Sequence, residues 1–112
     1  MPGQLLVVKG TLDMLVLRAL VLGPMHGFEV AAWLETRSGD ELALDDSGLY
    51  QALYRLEGRH MIAAEWGLTE NNRRARYYRL TPAGRAHLRR ETATWLRYAA
   101  AVTRILTGPE PA

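Results

Sequence analysis

Apolar side chains recur at helical spacing through the first half of the chain and at alternate positions in part of the second. Leu12, Leu15, Val16, Ala19 and Leu20 repeat every three to four residues and predict a first helix. Thr11 is a good N-cap for it, Asp13 suits the positive end of its dipole, and Gly23-Pro24 stops it. A second short helix is predicted from about Gly27 to Thr36, with Val30, Ala31 and Leu34 inward and Ser38-Gly39 at its end. Glu41 to Leu44 suits a brief strand, and Asp45, Asp46 and Ser47 offer caps to a third helix reaching about Arg59. The period then changes to two. Ile62 to Trp66 and Arg76 to Leu80 are predicted strands, with Gly67 to Ala75 as a long hairpin tip. Thr81-Pro82 puts an N-cap before a proline at the first helical position, and a final helix is predicted to about Leu106. Only Met1 to Val7 and Gly108 to Ala112 read as loose ends. The predicted class is mainly α with a small β-hairpin, in a single domain over residues 1–112.

The chain has 112 residues, 48% hydrophobic and 23% charged, the mix of a globular protein rather than a disordered one. Its longest apolar run, Met14 to Leu22, is interrupted by Arg18 and is about half the ~20 residues of a membrane span. The Met-Pro-Gly-Gln start lacks the basic segment of a signal peptide. There is no cysteine, hence no disulfide, thiolate metal site or cysteine nucleophile. These features predict a cytoplasmic protein with no membrane contact.

Net charge is +2, but the two parts of the chain differ in sign. Residues 1–66 carry a balance of −4 and residues 67–112 a balance of +6, with nine arginines in the second part. Arginine forks onto phosphate and guanine, although base composition of a genome produces the same excess.

The third helix changes the picture most. At 100° per residue, Leu49, Ala52, Leu53 and Leu56 share one face. Ser47, Gln51, Tyr54 and Gly58 lie opposite, flanked by Tyr50 and Arg55. That outward face is polar and nearly free of acid, either a solvated surface or a set of groups for base edges in a major groove. The hairpin tip adds Asn71, Asn72, Arg73, Arg74 and Arg76, which suit a phosphate backbone or a minor groove. A helix pair, a polar-faced third helix and a basic hairpin make the constellation of a winged helix-turn-helix.

Four segments carry a resemblance: Lys9 to Leu15 (KGTLDML), Pro24 to Val30 (PMHGFEV), Gly48 to Glu57 (GLYQALYRLE) and Asn72 to Gly84 (NRRARYYRLTPAG). In this order and spacing the chain resembles the PadR-like transcriptional regulators over roughly Leu5 to Leu106. The resemblance implies a dimeric winged-helix DNA binder, usually a repressor, and the single helix after the wing is similar to the smaller subfamily. Two departures stand out. Gln51 replaces a proline common in the family, and glutamine can bond bidentately to adenine. His60 stands just before the first wing strand where the family favours glycine, which bears on where the third helix ends.

On the last helix, Leu88, Thr92, Trp95, Ala99, Val102 and Leu106 follow alternating steps of four and three. Such a stripe either covers the domain's own core or joins two copies, and a single helix running past a small domain favours a homodimer. Trp95, at its middle, either closes the dimer core or stacks on a small aromatic effector, which the resemblance allows. Enzyme readings lack support: His26, His60 and His87 have no metal-ligand spacing, and no phosphate loop or nucleophile elbow is present. The sequence therefore predicts a sequence-specific regulator, with residues 8–81 binding DNA and 82–107 pairing two copies. No cofactor or metal is expected. Ser47 and Tyr50 are expected on phosphate, Gln51, Tyr54 and Arg55 on bases or adjacent backbone, and Asn72, Arg73, Arg74 and Arg76 on the flanking strand. The alternative is a winged-helix adaptor that binds protein and not DNA.

Overall fold

The computed structural model describes residues 3–110. The predicted loose ends at Met1, Pro2, Pro111 and Ala112 lie outside the described residues. In chain order the elements are β1 (Leu5–Leu6), α1 (Leu12–Ala19), β2 (Met25–His26), α2 (Gly27–Arg37), β3 (Leu42–Ala43), α3 (Asp46–Gly58), β4 (Ile62–Leu68), β5 (Arg74–Leu80) and α4 (Pro82–Thr107). A single tighter helical turn, Leu20–Leu22, follows α1.

The three short helices pack their predicted faces together. Val16, Leu17 and Leu20, then Val30 and Leu34, then Leu49, Leu53 and Leu56 are all buried, joined by Ile62 of β4 and Tyr78 of β5. Each fully buried aliphatic side chain contributes about 1.5–3 kcal/mol. The helix starts follow their capping residues. Asp45 accepts from the Gly48 amide at 3.0 Å, and Thr81 Oγ1 accepts from the Gly84 amide at 3.0 Å. His26 caps α2 reciprocally, its Nδ1 accepting from the Glu29 amide while Glu29 Oε1 accepts from the His26 amide. Thr11 begins α1 as expected, but its hydroxyl donates back to the Val8 carbonyl at 2.7 Å instead of capping the helix.

Several local expectations are corrected. Leu5–Leu6, read as part of a loose end, pairs in parallel with Leu42–Ala43. Met25–His26 adds a third strand beside β5, so the sheet has the order β2-β5-β4. The hairpin ladder runs on to Leu68 and Arg74, which shortens the tip to Thr69–Arg73. There the Asn72 amide donates to the Thr69 carbonyl at 2.9 Å, and Asn72 takes the left-handed backbone (φ 64°) that asparagine tolerates. At the other end of β4, α3 stops at Gly58 and His60 holds a left-handed turn at φ 61°. This is the conformation a glycine adopts at least cost, and histidine fills it here.

The long dimension of the molecule comes from α4. Its 26 residues span about 39 Å, and the molecule measures 64 × 36 × 21 Å. Only Gly84 and Leu88 of this helix are buried. Leu88, predicted in an intermolecular stripe, lies in the chain's own core because the first turns of α4 pack against α1. Thr92, Trp95, Ala99 and Val102 are half-buried and Leu106 is exposed, so the predicted stripe divides into a core end and an uncovered end.

Candidate nucleic-acid interface

Four buried residues fix the roll of α3, and what remains outward is set by them. Ser47, Gln51 and Tyr54 face solvent, Tyr54 with 81% of its surface exposed. Neither Gln51 nor Tyr54 has a side-chain hydrogen bond among the described residues. Tyr50 differs. Its phenol lies against Gly27, where a Cβ would come within 2.7 Å of the hydroxyl oxygen, so a larger residue there would displace the Tyr50 ring from this position. Arg55 is also engaged: Nη2 donates to Asp13 Oδ1 at 2.7 Å and ties α3 to α1.

The wing is built on the β4–β5 ladder, with Trp66 opposite Arg76 and Leu68 opposite Arg74. The Arg74 guanidinium lies 4.7 Å from the centre of the Trp66 ring, a cation–π contact. Arg76 is drawn inward and donates from Nη2 to Glu57 Oε2 at 2.7 Å. Burial pushes the Tyr78 phenol above its ordinary range, with Arg76 pulling it down and Glu57 pushing it up. The outermost wing groups are therefore Asn72 and Arg73, with Arg74 beside them on its aromatic platform.

These elements enclose a cleft of about 730 Å³ between the start of α2, the Tyr50 side of α3 and the wing. Arg73, Arg74 and Arg76 line it, together with His26, Phe28, Tyr50, Trp66 and Asn71. Phe28 and Trp66 escaped the sequence reading although they are 78% and 60% exposed. Trp66 shares the phase of Ile62 and Ala64, so alternation assigns it to the core; it is exposed because the hairpin runs out past the core. Phe28, the single phenylalanine, stands at a helix start where no apolar periodicity flags it. An open basic cleft beside a hydrogen-bonding helix face has the chemistry of a nucleic-acid surface.

The fold has known relatives. The model of the "Transcriptional regulator PadR-like family" matches residues 16–90. The chain belongs to the PadR-like family of transcriptional regulators. Among solved structures it is similar to a transcriptional regulator from Clostridium thermocellum, at 26% identity and a TM-score of 0.79, covering 88% of this chain and 92% of that one. A padr family transcriptional regulator from Eggerthella lenta is 30% identical with a TM-score of 0.76, over 90% of this chain and 86% of that one. A protein from Lysinibacillus sphaericus, named only as uncharacterized protein X, is 27% identical over 89 residues, which are 80% of this chain and 82% of its own length. The PadR-like fold is thus a DNA-binding winged helix, and transcription regulation is its field of action.

A second surface of this PadR-like chain lies away from the cleft. Trp95 walls an apolar groove of about 520 Å³ together with Leu5, Val8, Met14, Leu15 and Leu88. Its ring lies 6.2 Å from that of Tyr98, tilted by 39°. Beyond it, Leu96, Ile105 and Leu106 are exposed on α4. Among the described residues no three His, Asp or Glu side chains are grouped to hold a metal, and no helix is long and apolar enough to cross a membrane.

Proposed function

We propose that two copies of this chain pair along α4 and repress transcription by occupying a palindromic operator. Residues 8–81 form the DNA-binding part and residues 82–107 the dimerisation helix. In each copy α3 enters the major groove, with Gln51 and Tyr54 at base edges and Ser47 at the backbone. Asn72, Arg73 and Arg74 follow the flanking phosphates, and Tyr50 and Arg55 contribute from positions already braced by α2 and α1. Thr92, Trp95, Ala99, Val102 and Leu106 form the pairing seam, which Leu88 anchors to the core. A planar aromatic effector entering beside Trp95 is the regulatory half of this reading, since a 520 Å³ apolar groove is within the size range of ligand sites.

The observation that carries the proposal is the separation of exposed side chains. Tyr50 of α3 borders one cleft with the arginine-bearing wing, and Gln51 and Arg55 border a depression shared with Leu6 to Gly10, while the apolar groove at Trp95 lies apart between α1 and α4. Duplex binding measured over a range of salt tests it. Each phosphate contact releases counterions, so log K falls by about 0.9 per contact for each tenfold rise in salt. Arg73→Ala is expected to weaken operator and random duplex alike and to flatten this slope by about one per protomer. An unchanged slope removes the wing tip from the interface. Absence of salt-dependent binding to any duplex favours the adaptor reading.

Gln51 separates specificity from affinity. Gln51→Ala is expected to lose about 1–3 kcal/mol of discrimination at one base pair per half-site while binding to random duplex barely changes. Equal weakening on operator and random duplex means that Gln51 reads no base.

A further inference from the structure

The joint between wing and third helix is made by an acid. Glu57, in the last turn of α3, accepts from Arg76 Nη2 at 2.7 Å across 19 residues of sequence. The Arg76 guanidinium also lies 5.8 Å from the Trp66 ring centre and 6.0 Å from that of Tyr78. Its Nε is buried with no hydrogen-bond partner. One carboxylate and two aromatic rings therefore hold this side chain, and Arg74 lies 4.7 Å from the centre of the same Trp66 ring. The other attachments of the hairpin are at its base, where Ile62 and Tyr78 are buried in the core and β2 pairs with Tyr77 and Tyr78 of β5.

We propose that Glu57 and Arg76 are positioning residues that fix the angle of the wing to α3, a role that rests on the DNA-binding reading above. A carboxylate beside a polyanion repels it, so by charge alone removal of Glu57 raises affinity. As half of a clamp, its removal has the opposite sign. The hairpin is then free to swing about its base, and binding must supply the entropy of ordering it. Arg76, already neutralised by Glu57, adds no counterion release of its own, so its loss leaves the salt slope unchanged. The direction of one effect and the absence of another distinguish the clamp from a direct contact.

The experiment uses full-length Glu57→Gln, Arg76→Gln and the double variant, with operator and random duplex over a salt series. A thermal melt checks that each is folded. Each single variant is expected to bind about tenfold more weakly, and the double variant no worse than the singles, because both remove one interaction. In Arg76→Gln and in the double variant the salt slope stays at the wild-type value. Glu57→Asp keeps the charge but withdraws the carboxylate from Nη2; it is expected to weaken binding too, and it stands in for Glu57→Gln should that variant fail to fold. In the free protein, the indole N–H resonance of Trp66, assigned by its loss in Trp66→Phe, is expected to shift in every clamp variant. Tighter binding by Glu57→Gln, or a flattened slope in Arg76→Gln, makes Arg76 a phosphate contact and overturns the proposal. Unchanged affinity in all the variants also overturns it. Should the wild type bind no duplex, the DNA-binding reading fails. The clamp is then judged on the Trp66 resonance alone, and an unmoved resonance sinks it.

Discussion

Gly84→Ala is expected to destabilise the fold by about 3 kcal/mol, at a helical position where alanine would ordinarily gain about 1 kcal/mol over glycine. The reason lies in how α4 begins. Thr81 donates from its amide to the Met61 carbonyl at 3.1 Å and from Oγ1 to the same oxygen at 2.9 Å, drawing the helix start onto the β4 base. A Cβ on Gly84 would collide with that carbonyl oxygen, lie 2.9 Å from its carbon and press on Leu80 at 3.0 Å. The obstacle is backbone, which cannot rotate away as a flexible side chain can. Relief requires α4 to lift, uncovering Leu88 and losing the Thr81 bonds. Urea unfolding followed by circular dichroism measures the effect, with an expected fall in midpoint of about 1–3 M. A midpoint equal to or above the wild type would mean that the approach of α4 to Met61 is not needed by the fold.

A charge in the middle of the uncovered α4 stripe should act on a different quantity. Val102→Glu places a carboxylate between Ala99 and Leu106, beyond the part of the helix that serves the core. In a lone chain it is half-exposed and harmless. In a paired seam it is a buried, unpartnered charge, which costs several kcal/mol. The variant is expected to sediment as a monomer at micromolar concentration. Its affinity for a palindromic operator should fall by about 10²–10⁴, the gain that linking two binding modules supplies. Binding to a single half-site should be unchanged, which separates lost pairing from lost DNA contact. A dimer that survives, or full operator affinity in a monomer, rejects pairing through this stripe.

The fold was legible wherever one residue type has one physical use. Thr81-Pro82 marks a helix start because the proline lacks an amide that the first turn would leave unpaired, and α4 begins there. Leu49, Ala52, Leu53 and Leu56 declare a buried face because no other pattern keeps them together. Of the two-residue strands only Leu42–Ala43 was legible, inside the brief strand read at Glu41 to Leu44. Met25–His26 and Leu5–Leu6 are held by partners, Tyr77–Tyr78 and Leu42–Ala43, that lie far along the chain and leave no local period. The site followed the same rule. The outward face of α3 and the arginines of the wing could be named from sequence. That Arg55 answers to Asp13, 42 residues away, and Arg76 to Glu57, could not, because a charge pattern does not disclose its partner. Leu88 fits both a core and a seam by spacing, and only the docking of α4 on α1 decides between them.

Thr81 alone stands between the last wing strand and the first residue of α4, and its hydroxyl reaches both His60 and Met61 at the exit of α3. Wing, third helix and long helix are thereby joined at one point, and the long helix leaves that joint as a rod of about 39 Å. A rod of that length multiplies angles. If two such rods rotate against each other by about 5°, their far ends travel about 3 Å, a noticeable fraction of the ~34 Å between half-sites one turn apart. In the proposed dimer no protomer would have to change its internal shape for its partner's third helix to leave the groove. The gearing of that proposed dimer is in the lever, and a change in the crossing of the two helices is passed on to the DNA.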